Sequence, residues 1–182
     1  RDSGNTLLMK EFPGGVLVMT GANSAVGLRS MPVRYLFLDE IDAYPGDAGG
    51  EGDPVDLAVQ RAATFTNRKI YLCSTPTIKD FSRIEAAYQE SDRRVFEVPC
   101  DQCGVCSVIY WKDIQWPEGK IEEASWHCPH CDHVHPEFRK PSLLARGAWR
   151  ATAKGDGKTA GFWMSSLDSP WLTWAEIAME HK

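Results

Sequence analysis

Short apolar runs bounded by turn residues dominate the first half of the chain. Val16-Leu17-Val18-Met19-Thr20 reads as a buried strand entering the turn residues Gly21-Ala22-Asn23-Ser24. Val33 to Leu38 is a second such strand, and Lys69-Ile70-Tyr71-Leu72-Cys73-Ser74 a third. Runs without polar alternation suit a sheet covered on both faces, which predicts parallel strands. Between the last two, Asp53-Pro54 has the form of an N-cap followed by proline at the first helical position. The helix it opens carries Leu57, Ala58, Arg61, Ala62 and Phe65. A second helix is expected to begin near Asp80, with Phe81, Ile84 and Tyr88 on one face.

From about Arg93 the pattern changes. Short strand-like pieces (Arg94 to Val98, Ser107 to Trp111, Ala124 to His127) alternate with Cys, Gly and Pro turns, as in a small β module. A brief helix over Pro141 to Arg146 should stop at Gly147, and Gly161 to Met164 reads as another strand. Thr173-Trp174-Ala175-Glu176 has the spacing of a capping box, opening a helix that runs towards the end of the chain.

Charge adds one local feature. The 182 residues carry a net charge of −5, against a surface coated for nucleic acid, although a local basic groove is compatible with it. Between Tyr35 and Gln60 stand seven acids (Asp39, Glu40, Asp42, Asp47, Glu51, Asp53, Asp56) and no Lys or Arg. An acidic concentration beside a strand end suggests a cation site, with a solvated acidic loop as the alternative. No stretch approaches the roughly 18 apolar residues of a membrane span, and no secretion signal opens the chain. An intracellular protein, off the membrane, is expected.

The strand Tyr35 to Leu38 ends in Asp39-Glu40, the form of a Walker-B strand. In nucleotide hydrolases a buried strand fixes the first carboxylate near the Mg²⁺ on the phosphates, and the second orients or deprotonates the attacking water. Asp42, just beyond, is the rival for that second role. A strand running into an acidic turn would look the same. About thirty residues on, the third strand ends in Ser74-Thr75-Pro76-Thr77, small hydroxyl residues suited to sensing a γ-phosphate, or to an ordinary turn. A phosphate-binding loop should precede these strands. Gly157-Lys158-Thr159 follows them, has Thr152 at the upstream glycine position, and is read as a flexible turn.

Cys100-Asp101-Gln102-Cys103 and Cys128-Pro129-His130-Cys131 are two CxxC turns separated by 24 residues, the spacing at which four thiolates clamp one Zn²⁺ in a zinc ribbon. Cys106 is a spare, and His127, His130, His133 or His135 would serve a mixed Cys/His site instead. The closed thiolate set is expected to be structural. Cys73 is read as a core residue. Trp111, Trp116 and Trp126 pack around the metal or stack on DNA bases.

The run Thr20 to Ser30, the strand into Asp39-Glu40-Ile41-Asp42-Ala43-Tyr44-Pro45, Gly50-Glu51-Gly52-Asp53-Pro54, Ser74-Thr75-Pro76-Thr77-Ile78-Lys79, Val98-Pro99-Cys100, Cys128-Pro129-His130-Cys131 and Ser166-Leu167-Asp168-Ser169-Pro170-Trp171 together resemble the GpA family of phage terminase large subunits. The resemblance covers nearly the whole chain. It implies a viral motor in which ATP hydrolysis, with Mg²⁺, drives double-stranded DNA into a capsid from the host cytoplasm, followed by a metal-dependent nuclease absent here. It implies as partners the small terminase subunit and the portal or procapsid, and a homo-oligomer during packaging. On it, Asp39 matches the Mg²⁺ carboxylate, Glu40 the catalytic glutamate and Ser74, Thr75, Pro76 and Thr77 the coupling motif. Arg29 matches a family position read as a phosphate or subunit contact, or as a surface arginine capping its helix.

The fold expected is α/β: part of a RecA-like, additional-strand P-loop ATPase core with a parallel sheet, plus a small β zinc-ribbon module. Residues 1–92 would be the ATPase part, 93–152 the ribbon with its short helix, and 153–182 a strand and helix leading towards the nuclease. Without a phosphate loop the chain alone is expected to be inactive. A non-catalytic zinc-ribbon module binding nucleic acid or protein, and an ATP-driven helicase or remodeller, are the alternatives.

Overall fold

The computed structural model describes residues 5–29 and 31–181. Ser30, the last residue of the Thr20–Ser30 run, lies outside them. The chain mixes helices with small sheets and divides into two compact units, Arg1–Ala86 and Ala87–Lys182.

In the first unit β1 (Met9–Phe12) and β2 (Gly15–Val18) form an antiparallel hairpin. Its turn places Pro13 before Gly14, which has φ 94°, the residue pattern of a type II turn. This corrects the expectation of a buried strand at Val16–Thr20: Val16, Leu17, Val18 and Met19 are all exposed. The apolar run identified an extended segment, but the adjacent Pro-Gly turn pairs it with its own neighbour rather than with a covered sheet. Helix α1 (Ala25–Arg29) follows, with the Ser24 hydroxyl accepting from the Gly27 amide at 3.1 Å.

Strand β3 (Tyr35–Asp39), helix α2 (Pro54–Ala62) and strand β4 (Lys69–Cys73) form a parallel crossover, with Tyr35 opposite Lys69 and Asp39 opposite Cys73. Asp53 caps α2 as its sequence requires, accepting from the amides of Val55 and Asp56. Leu36 and Leu38 of β3 turn inward with Leu72 onto a core of Leu28, Ile41, Ala48 and Ala58. Tyr35, Phe37 and Tyr71 face outward and are exposed, so among the described residues this pair is covered on one face. The period of two sends alternate residues outward, and an all-apolar strand does not reveal which face is covered. Helix α3 (Arg83–Glu90) begins at Arg83 rather than near Asp80, because Asp80 sits at φ 67°, which a right-handed helix cannot continue. Phe81 is therefore outside the helix and 84% exposed.

In the second unit β5 (Arg94–Pro99) is central. It pairs antiparallel with β6 (Cys106–Ser107). Strands β7 (Ile114–Gln115), β8 (Ser125–His127) and β9 (Val134–Pro136) form an antiparallel sheet. Helix α4 (Lys140–Leu144) stops where the Gly147 amide bonds the Leu144 carbonyl. Strand β10 (Ala148–Ala151) is antiparallel to β5, and β11 (Phe162–Trp163) is parallel to it. Helix α5 (Trp174–Glu180) opens on the expected capping box, with Thr173 and Glu176 each bonding the other's backbone. Trp174 and Ile177 of α5 pack with Val98, Ile109, Trp126 and Leu143 in one core. Among the described residues no helix is long and apolar enough to cross a membrane.

Candidate functional site

Two constellations stand out, one in each unit. In the first, the parallel register brings the ends of β3 and β4 side by side. Asp39 is the last residue of β3, and its Oδ1 accepts from the Cys73 thiol at 3.0 Å. Cys73 is half-buried at the strand end and partnered to a carboxylate, which corrects its reading as a core residue. The hydrogen bond to Asp39 and then burial push its pKa up, so the thiol keeps its proton. Glu40 leaves the strand at φ 54°, ψ 46°, a left-handed conformation rare for a residue with a side chain, and it is exposed.

Asp42 occupies the short turn Ile41–Ala43 and is tied down on every side. Its Oδ2 accepts from the Thr77 amide (3.0 Å) and hydroxyl (3.2 Å), and its Oδ1 from the Ile84 amide at 2.9 Å. Burial alone would raise its pKa, but hydrogen bonds from Ser82, Ile84 and Thr77 outweigh it and hold the carboxyl low. The Asp42 amide donates to the Ser74 hydroxyl at 3.2 Å. Ser74 and Thr77 are thus bonded to the turn that follows Asp39-Glu40. Thr75 and Pro76 are exposed, with the Thr75 carbonyl accepting from the Ser74 hydroxyl at 3.3 Å.

Arg83 organises the same loop and went unnoticed in the sequence. Its Nε and Nη2 donate to Asp53 Oδ2 at 3.1 and 2.8 Å. Its remaining bonds go to the carbonyls of Ile41 (3.2 Å), Tyr44 (3.0 Å) and Pro45 (2.9 Å). The N-cap of α2 and the turn after β3 are joined by one guanidinium. Arg29, at the end of α1, forms a two-pronged ion pair with Glu51 and receives Arg61 on its own carbonyl at 3.2 Å.

In the second unit Cys100, Cys103, Cys128 and Cys131 converge, their four sulfurs all within 4.8 Å of one another. The two CxxC turns share a backbone plan. The Gly104 and Asp132 amides bond the Cys100 and Cys128 carbonyls, and both residues have positive φ. Tetrahedral bonds of about 2.3 Å place thiolate sulfurs about 3.8 Å apart. Cys100 to Cys131 is 3.7 Å and Cys103 to Cys128 is 3.8 Å. Without a metal the thiols titrate apart. Burial pushes Cys100 up, but the Cys103 and Gln102 amides and the His135 ring draw it down to about 6. Burial holds Cys128 up. At Cys131 the pull of the His133 amide is outweighed by burial and the neighbouring sulfurs, which hold it up. Cys106 lies outside this set, as do all the histidines.

Trp126 is fully buried and stacks on His135, with ring centroids 4.7 Å apart. Trp116 packs against the core, while Trp111 is 41% exposed. Gly157-Lys158-Thr159 is a turn closed by Asp156, which accepts from the amides of Lys158 and Thr159.

The family described as phage terminase large subunit gpA, ATPase domain, matches residues 1–149. A terminase large subunit of Enterobacteria phage P21 is 28% identical over 200 aligned positions, covering 97% of this chain and 31% of that protein. One from Escherichia phage lambda is 32% identical over 117, covering 63% of this chain and 18% of that protein. The chain thus spans less than a third of the length of these relatives. No solved structure matches it.

Proposed function

Because the chain belongs to the ATPase-domain family of phage terminase large subunits, we propose that it supplies the Walker-B half of a DNA-packaging motor and a zinc ribbon. The observation that carries the reading is the side-by-side termination of β3 and β4, with Asp39 and Glu40 at the end of one and Ser74 to Thr77 following the other. On this reading β3 and β4 are part of a RecA-like parallel sheet. Asp39 would hold the nucleotide's Mg²⁺, which supplies positive charge to the phosphates. Glu40, exposed at the strand end with a left-handed backbone, would orient and deprotonate the attacking water. Asp42 fits the rival role poorly, because both its oxygens already accept hydrogen bonds. Ser74 and Thr77 relay the state of the nucleotide through Asp42 to the turn beside Glu40. Arg29 retains its proposed phosphate or subunit contact, to be made in exchange for Glu51.

Residues 1–92 are assigned to the ATPase part, 93–152 to the ribbon and 153–182 to the segment leading onward. Cys100, Cys103, Cys128 and Cys131 would hold Zn²⁺, which contributes folding energy rather than catalysis. Double-stranded DNA, the small terminase subunit, the portal and further copies of the chain are the partners proposed, in the host cytoplasm. The chain alone is proposed to turn over ATP negligibly, since no segment of it has the form of a phosphate loop.

The test uses the full-length protein. Glu40→Gln should lower ATP hydrolysis at least about a hundredfold while leaving nucleotide binding intact. Asp39→Asn should weaken Mg²⁺-nucleotide binding as well. Normal turnover in both variants would sink the ATPase assignment and favour a non-catalytic ribbon module.

A further inference from the structure

His135 is the one histidine whose ring is both sealed from solvent and in contact with the cysteine cluster. It has no exposed surface, and its Nε2 lies 3.3 Å from the Cys100 sulfur. Cross-strand pairing with Trp126 fixes the ring from one side, as the stacked pair at 4.7 Å and 22° records. His133 meets it edge-on at 4.7 Å. On the far side, Nδ1 lies 3.6 Å from Asp101 Oδ2, beyond hydrogen-bond distance, and has no hydrogen-bond partner among the described residues; Asp101 is itself clamped by Arg139 and Arg146. The ring is therefore held in orientation by its two aromatic neighbours, and the atom it presents to Cys100 is a nitrogen.

We propose that His135 is a positioning residue for the metal cluster, its Nε2–H donating a hydrogen bond to the Cys100 thiolate. The assignment rests on the zinc reading above and extends it beyond the four ligands. A metal-bound thiolate carries no proton, so a nitrogen at 3.3 Å is favourable only if the nitrogen carries one. Four thiolates around a divalent ion leave an excess of negative charge. A buried donor aimed at one of them offsets part of it and fixes that sulfur's direction. Groups outside the ligand set that orient metal ligands typically change metal affinity about ten- to a hundredfold when removed. The alternative is that His135 only fills space beside Trp126.

Two variants separate these roles. His135→Phe keeps a ring for the stack and removes the donor, and His135→Gln keeps a donor. In the zinc-loaded chain, release of metal to a colorimetric chelator at fixed pH should be about ten- to a hundredfold faster for His135→Phe, with His135→Gln nearer the parent. The thiolate-to-metal absorption band of the cobalt-substituted chain should shift in His135→Phe. Parent-like release and an unshifted band in a folded His135→Phe variant would overturn the proposal. A measurement on the parent covers the case in which that variant does not fold. In the cadmium-113-loaded chain, His135 Nε2–H should show scalar coupling to the metal through the Cys100 sulfur, and an Nε2 without a proton would refute the assignment. A parent chain that binds none of the three metals would instead remove the zinc reading, and this assignment with it.

Discussion

Arg83→Ala should loosen the loop after β3 more than any surface substitution in the first unit. The side chain makes five hydrogen bonds, two to Asp53 and three to the carbonyls of Ile41, Tyr44 and Pro45, and is about three-quarters buried, with 26% of its side chain exposed. Hydrogen bonds to charged groups contribute about 1.5–3 kcal/mol each, but these share one guanidinium and water replaces some of them, so they do not add. A net loss of about 2–4 kcal/mol follows. Arg83→Lys keeps the charge but cannot span four acceptors, and should lose about half as much. Asp53→Asn keeps an N-cap residue and gives up a partly exposed ion pair, which costs about 1 kcal/mol or less. The seven tryptophans all lie at or beyond position 111, so their fluorescence does not report on this unit. Amide exchange does. The Ala43, Tyr44 and Leu57 amides are bonded to the Glu40, Ile41 and Asp53 carbonyls. At tenfold per about 1.4 kcal/mol, their exchange should quicken at least about thirtyfold in Arg83→Ala. Exchange within about threefold of the parent would refute the clamp.

Three further outcomes are expected. Metal analysis of reduced chain should return one zinc, and a chelator should unfold the second unit while the first keeps its amide protection; a metal-free chain, or loss of protection in both units together, would contradict this. Asp42→Asn replaces one acceptor oxygen with an amino group facing a donor, so the Thr77 or Ile84 amide should lose protection, which exchange at those two amides checks. Burial raises Asp168 to about 6, against the pull of the Ser165 amide and Lys140. The folded chain then holds that proton more tightly than the unfolded one, so this contribution is full below the ordinary 3.8 and is lost as pH rises through about 6. Asp168→Asn should therefore compare less favourably with the parent at pH about 5 than at about 7.5 in tryptophan-monitored denaturation, and an equal difference at both would refute it.

What was legible in the sequence follows the range of the interactions involved. The caps at Asp53 and Thr173 and the two CxxC turns are set by residues two to four positions apart, and the structure has each of them. The hairpin arm at Gly15–Val18 was misread because hydrophobicity reports that a strand exists, not what covers it. The start of α3 shifted because the left-handed backbone at Asp80 leaves no mark in composition. Arg83 was missed because its four acceptors lie 30 to 42 residues away. Cys73 was misplaced for the same kind of reason, since its partner Asp39 is set by parallel register across a helix.

The acidic concentration between residues 35 and 60 suggested a cation site or a solvated acidic loop, and Asp42, Asp47, Glu51 and Asp53 bond within this unit. Asp42 accepts from Thr77 and Ile84, Asp47 from the Gly50 and Gly52 amides, Glu51 pairs with Arg29, and Asp53 caps α2 and receives Arg83. Asp56 stands in the first turn of α2, where a negative charge suits the helix dipole. Asp39 gives one oxygen to Cys73. Asp42, Asp47, Glu51 and Asp53 each have an internal role that shapes the loop, while Asp39 stays exposed at the strand end. Glu40 is exposed, and its left-handed backbone costs of order 1 kcal/mol. Strain alone would not single it out, because Arg93 also has positive φ. What separates Glu40 is strain together with its place directly after the strand-end aspartate, in a turn that Asp42 and Arg83 hold from two sides. Asp42 and Arg83 fix the turn around Glu40, and the proposal that this exposed carboxylate orients the attacking water is what hydrolysis by the Glu40→Gln variant tests.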